Sequence, residues 1–132
     1  MGLNDVNKRL IFAIDDQREI TEIIRKIGAG SDLEVRTFIS ANPAAYQITN
    51  GVKPGMIITD ESLPGMSGLE LCAITKYLSP STCRVLHTSH SLEEPMYEQA
   101  GKDRVYDHFL AKPCTMKHLQ EILDGYKSRL NS

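Results

Sequence analysis

Leu10-Ile11-Phe12-Ala13-Ile14-Asp15-Asp16 is an unbroken apolar run that stops on two carboxylates. Such a run has no solvent face, as expected of a strand buried on both sides of a parallel sheet. The period then changes. Ile20, Ile23, Ile24 and Ile27 fall at i, i+3, i+4 and i+7, one face of a helix that Gly28, backed by Gly30, is expected to end. The same alternation repeats outward along the chain. Further strands are expected at 35–39, 56–59, 84–88 and 106–111, and helices at about 43–49, 69–78, 93–100 and 115–130. Leu71, Ile74 and Leu78 should line the buried side of the third helix. Met116, Leu119, Leu123, Tyr126 and Leu130 should line that of the last. Asn50-Gly51 and Lys53-Pro54-Gly55 read as turns. Five strand–helix units imply right-handed crossovers and a parallel sheet with helices on both faces, a doubly wound α/β fold.

Composition narrows the function classes. A chain of 132 residues allows one domain and little more. Fifteen Lys and Arg against seventeen Asp and Glu give a net charge of −2, without the basic excess typical of a nucleic-acid binder. No apolar stretch approaches the ~20 residues of a membrane span, and residues 1–9 hold no apolar leader core, so a cytoplasmic protein is expected. Cys72, Cys83 and Cys114 are odd in number, lack CxxC spacing and read as free thiols packed as small hydrophobes. His87, His90, His108 and His118 form no zinc-ligand pattern. If His87 and His90 shared a strand, their spacing would point them to opposite faces.

In such folds ligands bind beyond the carboxyl ends of the strands, so the residues that close the strands matter most. Strand one closes on Asp15-Asp16, strand three on Asp60, strand four on Ser89 and strand five on Lys112. Core packing has no use for that set. Three carboxylates at one edge repel, two unit charges ~4 Å apart by about 4 kcal/mol at an effective dielectric of 20. One Lys offsets part of this, and a divalent cation would offset the rest. Oxygen ligands, few in number, suit Mg²⁺. Aspartate is also a nucleophile toward phosphoryl groups, so the ingredients of phosphoryl transfer are present.

These pieces resemble the receiver domain of two-component response regulators over about residues 8–129. The resemblance rests on Ile11-Phe12-Ala13-Ile14-Asp15-Asp16, Ile57-Ile58-Thr59-Asp60, Leu63-Pro64-Gly65-Met66-Ser67-Gly68, Leu86-His87-Thr88-Ser89 and Phe109-Leu110-Ala111-Lys112-Pro113. It implies a flavodoxin-like (βα)5 sheet in strand order 2-1-3-4-5, and one receiver domain across 1–132 (core about 8–130) without an output domain. Asp60 would be the phosphoacceptor. Asp15 and Asp16, with Asp60 and the Ser62 carbonyl, would hold Mg²⁺. Ser89 and Lys112 would complete the catalytic set, with Ser89 and Phe109 as the switch pair and a cis peptide at Lys112-Pro113. The phosphoryl donor would be a histidine kinase or a histidine phosphotransfer domain. The chain would then not be an enzyme but a phosphoacceptor that assists its own phosphorylation and dephosphorylation.

Two residues depart from the pattern. Gln17 replaces a frequent third acidic residue, and His90 follows Ser89 where Ala or Gly is usual. The imidazole either narrows the phosphate's entrance or points to solvent. Asp15-Asp16 taken alone would also suit a helix N-cap. Competing readings are an interaction module of the same fold that works without phosphate, and a Mg²⁺-dependent phosphatase with an Asp nucleophile. The phosphatase needs Asp-x-Asp, where this chain reads Asp60-Glu61-Ser62. With only Asn131 and Ser132 beyond the last helix, output is expected through a protein partner or self-association at the fourth helix, fifth strand and last helix, and not through nucleic acid or membrane. Residues 92–103 are polar, so the fourth helix should be short.

Overall fold

In the computed structural model, which describes residues 6–130, the alternation becomes β1 (Asn7–Ile14), α1 (Arg18–Gly30), β2 (Glu34–Phe38), α2 (Ala41–Thr49), β3 (Pro54–Thr59), α3 (Gly68–Leu78), β4 (Cys83–Thr88), α4 (Pro95–Lys102), β5 (His108–Ala111) and α5 (Met116–Leu130). Residues 1–5 and 131–132, on which the readings of the chain's start and of its two-residue tail rest, lie outside the described residues. All strand pairs are parallel, in the order β2-β1-β3-β4-β5. No helix among the described residues is long and apolar enough to cross a membrane.

Strand alternation divides the apolar side chains between two cores. Leu10, Phe12, Ile14, Ile57 and Leu86 face α2, α3 and α4, where they meet Ala44, Leu71 and Tyr97. Ile11, Ala13, Met56, Ile58 and Val85 face α1 and α5, where they meet Ile24, Ile27, Leu119 and Leu123. The central strands therefore contribute to both layers, and this is why their sequences are continuously apolar.

Several expected boundaries move. Gly28 does not end α1; a Cβ there would lie 2.4 Å from Val35 Cγ2, so this glycine lets the helix pack on β2 while it continues to Gly30. Pro54 and Gly55 belong to β3 rather than to a turn, Pro54 being its first residue, where a missing N–H is tolerated. β2 stops at Phe38 and leaves Ile39 exposed, because Ser40 already caps α2. The buried stripe of α3 runs through Gly68, Leu71, Cys72 and Thr75 on to Ser79, which leaves Leu78 exposed. That of α5 begins at Leu119, so Met116 in the first turn is exposed. β5 starts only at His108. The Tyr106 side chain turns to the Tyr97 carbonyl, its hydroxyl donating (2.9 Å). Asp107 meets Arg84 of β4 through its amide, which donates to the Arg84 carbonyl (2.8 Å), and through its carboxylate, which accepts from the Arg84 amide (2.8 Å).

Candidate functional site

Three of the expected site residues are held in the same way. Asp15, Asp60 and Lys112 each stand one residue past a strand, and each amide still donates across the sheet. Asp15 N donates to Phe38 O (3.0 Å), Asp60 N to Ile14 O (2.8 Å) and Lys112 N to Thr88 O (2.8 Å). Their side chains therefore project from rigid backbone at one edge of the sheet. Asp15 and Asp60 are buried, while Asp16 is exposed. Lys112 Nζ lies 2.9 Å from Asp15 Oδ2 and 3.4 Å from Asp60 Oδ2, and the Lys112-Pro113 peptide is cis.

Carboxylate oxygens of Asp15, Asp16 and Asp60 all lie within 4.8 Å of one another. At that spacing each pair repels by roughly 3–4 kcal/mol at an effective dielectric of 20. One ammonium against three carboxylates leaves a net charge of −2 at the edge. An all-oxygen donor set with that charge fits a small, hard divalent cation such as Mg²⁺. Neither aspartate caps α1, whose N-cap is Gln17; Asp15 Oδ1 instead accepts from the Gln17 amide (2.9 Å). The helix-cap alternative is thereby set aside.

The remaining expected residues surround this cluster. Ser89 is exposed just past β4, and with Gln17, His87 and Lys112 it lines a cavity of about 290 Å³. Phe109 is half-buried on β5, its ring 5.7 Å from that of Tyr106 and 6.0 Å from that of Tyr97. Ser62 is exposed in the β3–α3 loop, where its hydroxyl lies 3.1 Å from His90 Nε2. His90 stands two residues past β4, so strand alternation does not govern it. Glu94 Oε2 is 3.4 Å from its Nδ1, and the Tyr97 ring is 5.3 Å away. His90 therefore bridges the β4–α4 and β3–α3 loops instead of pointing freely to solvent.

Sequence reasoning passed over three residues. His87 is buried, and its Nε2 has no hydrogen-bond partner among the described residues. Burial, helped by the charge of Lys112 and opposed by Asp15 and Asp60, lowers its pKa from the ordinary histidine value. Glu61 and Tyr97 are buried and joined by a hydrogen bond from the Tyr97 hydroxyl to Glu61 Oε2 (2.7 Å). Nothing local announces that pair, since the two residues are 36 apart. The α3 entry did carry a readable sign: Ser67 and Glu70 form a capping box, the S-x-x-E pattern.

Comparison with known proteins agrees with this fold. A family model described as "Response regulator receiver domain" matches residues 11–124. The C4-dicarboxylate transport transcriptional regulatory protein DctD of Rhizobium meliloti (strain 1021) is 34% identical over 109 residues, which cover 83% of this chain and 23% of that protein. The DNA-binding transcriptional regulator NtrC of Klebsiella pneumoniae is 25% identical over 122 residues, 90% of this chain and 25% of that one. The chain thus spans about a quarter of the length of these curated relatives. Among solved structures, a CheY-like response regulator receiver domain protein from Methanospirillum hungatei JF-1 superposes with a TM-score of 0.80 at 20% identity, covering 93% of this chain and 96% of that one. The chemotaxis response regulator CheY4 of Vibrio cholerae gives 0.74 at 22% identity, covering 89% and 97%. At such identities these two likenesses concern the fold.

Proposed function

The chain belongs to the response regulator receiver domain family of two-component signal transduction, and from that premise we propose that it accepts a phosphoryl group on Asp60 from a phosphohistidine donor. The observation that carries the reading is Lys112, whose ammonium stands between Asp15 and Asp60 at the carboxyl end of the central strands. Asp60 Oδ1 is taken by the Glu61 amide (2.8 Å), which leaves Oδ2, facing Lys112, as the nucleophile. In the transfer the Oδ2–P bond forms and the donor's P–N bond breaks, its electron pair staying on the imidazole nitrogen. Lys112 offsets charge on the phosphoryl oxygens, and the Ser89 hydroxyl at the mouth donates to one of them. Asp15, Asp16, Asp60 and the Ser62 carbonyl would hold Mg²⁺, which when bound neutralises the charge gathered by three carboxylates and a phosphate.

Receiver domains are not enzymes in the ordinary sense, and in this reading the chain is a reactant that assists its own phosphorylation and dephosphorylation in the cytoplasm. Output would pass through protein contacts at α4, β5 and α5. Leu92, Met96 and Met116 are exposed there, and a cleft of about 570 Å³ is lined by Leu92, Phe109 and Ile122. The DNA binding in the NtrC relatives' names is said of those proteins.

Two consequences are measurable. Asp16→Ala removes one of three carboxylates without touching the core, so Mg²⁺ affinity by calorimetry should fall about tenfold or more. An unchanged titration would remove Asp16 from the metal set. Second, His90→Ala opens the bridge between the two loops beside Asp60, and the phosphorylated state should lose its phosphate severalfold faster. Equal rates of phosphate release would mean that the bridge does not screen the acyl phosphate from water.

A further inference from the structure

We infer that Glu61 is a positioning residue for Asp60 and that, through Tyr97, it carries the phosphorylation state of the site to α4 by a path that does not start from Ser89. The inference rests on Asp60 being the phosphoacceptor. Every hydrogen-bonding group of Glu61 that faces the site is engaged. Its amide donates to Asp60 Oδ1 (2.8 Å), and its carbonyl accepts from the amides of Leu63 (3.1 Å) and Gly68 (3.1 Å). Its carboxylate accepts from the Leu69 amide at Oε1 (2.7 Å) and from the Tyr97 hydroxyl at Oε2 (2.7 Å). One residue thus ties the phosphoacceptor to the first turn of α3 and to the first turn of α4.

Packing stability does not explain this residue. Glu61 is 7% exposed, and its oxygens are held by an amide and a phenol instead of a cation. A buried carboxylate held only by neutral donors is costly to desolvate, and an apolar side chain of similar size would fill the space at less cost. Tyr97 is 1% exposed, and its own carbonyl accepts from the Tyr106 hydroxyl (2.9 Å), so displacing it displaces α4 and the segment that leads into β5 with it. The chain of contacts from Asp60 through Glu61, Tyr97 and Tyr106 is continuous. It reaches the ring of Phe109 from the α4 side.

Phosphorylation of Asp60 replaces its single carboxylate charge with a phosphoryl group of about −1.5 to −2, carried further out from the strand and within a residue of the Glu61 amide. The loop that carries Glu61 must then reorient its N–H groups toward the phosphate, and its side chain pulls on or releases Tyr97. The effect on α4 is a shift in population between two arrangements.

The test is amide hydrogen exchange across 95–102, with phosphate incorporation measured in parallel, using a small acyl phosphate with Mg²⁺ as donor. Tyr97→Phe removes only the hydroxyl. Exchange in α4 should be severalfold faster before phosphorylation, the further change on phosphorylation should fall by at least half, and α1 and α5 should be unaffected. Glu61→Ala should slow phosphate incorporation severalfold, and Glu61→Gln, whose amide still meets Leu69 and Tyr97, should restore most of it. The tether is overturned if Tyr97→Phe responds to phosphorylation as the wild type does, if exchange rises equally in α1 and α5, or if Glu61→Gln is as slow as Glu61→Ala. Should the wild type take up no phosphate, the reading of Asp60 fails by itself. The Tyr97→Phe exchange in unmodified protein then still decides the tether, unchanged rates in α4 overturning it.

Discussion

Asp60→Asn should take up no phosphate at all under conditions in which the wild type takes up one, measured as intact mass after incubation with a small acyl phosphate and Mg²⁺. An amide oxygen in place of the carboxylate is a far weaker nucleophile toward phosphorus, and among the described residues no other carboxylate is both buried and in contact with Lys112 apart from Asp15. Asp15 is excluded as a substitute acceptor because its Oδ2 is closed by Lys112 at 2.9 Å and its Oδ1 by the Gln17 amide. The loss should not come from misfolding. Asn keeps the side-chain oxygen that accepts from the Glu61 amide, and it relieves the repulsion among three carboxylates, roughly 3–4 kcal/mol per pair at an effective dielectric of 20. The lost attraction to Lys112 opposes that relief, so thermal stability without Mg²⁺ should be equal to the wild type's or slightly higher. Any phosphorylation-dependent change in partner affinity should vanish with the phosphate. A phosphorylated Asp60→Asn protein would place the acceptor elsewhere.

The residues that the sequence made legible are those whose meaning is local. A continuous apolar run followed by Asp, Ser or Lys specifies both a doubly buried strand and a group at its carboxyl end, so Asp15, Asp60 and Lys112 fall at one sheet edge by sequence alone. Local chemistry also misleads where tertiary packing reassigns it. Pro54-Gly55 has the composition of a turn, yet it opens the central strand, where the Pro54 carbonyl accepts from the Thr82 hydroxyl (2.7 Å). Gly28 has the composition of a helix stop, yet it is a packing position against Val35. The Glu61–Tyr97 and Ser62–His90 contacts were out of reach for a different reason. Each joins two loops or elements about thirty residues apart, and neither partner is unusual by type where it stands. Only the sheet order, which brings the ends of β3 and β4 side by side, makes them neighbours.

Gly68 has no room for a side chain against the end of β3. It opens α3, and its amide donates to the Glu61 carbonyl (3.1 Å). A Cβ there would lie 2.0 Å from the Asp60 carbonyl oxygen, 2.8 Å from the carbon bearing it and 3.0 Å from Glu61 Cα. All three atoms are backbone, so no rotamer change relieves the clash. Either α3 lifts from the sheet, breaking the contact of Leu69 N with Glu61 Oε1, or the Asp60–Glu61 backbone moves and carries the carboxylate away from Lys112. Overpacking of this kind costs about 3 kcal/mol or more. For a domain of this size that lowers the melting temperature by on the order of 10 °C. Gly68→Ala should therefore melt far below the wild type, and at temperatures where it is still folded it should take up phosphate more slowly. Gly30→Ala is the internal control. Its Cβ meets nothing within 4 Å at the end of α1, so it should be neutral or stabilising by up to ~1 kcal/mol. If the two alanine variants melt together with the wild type, α3 does not rest on the phosphoacceptor's backbone, and the route from Asp60 through Glu61 loses its rigid support.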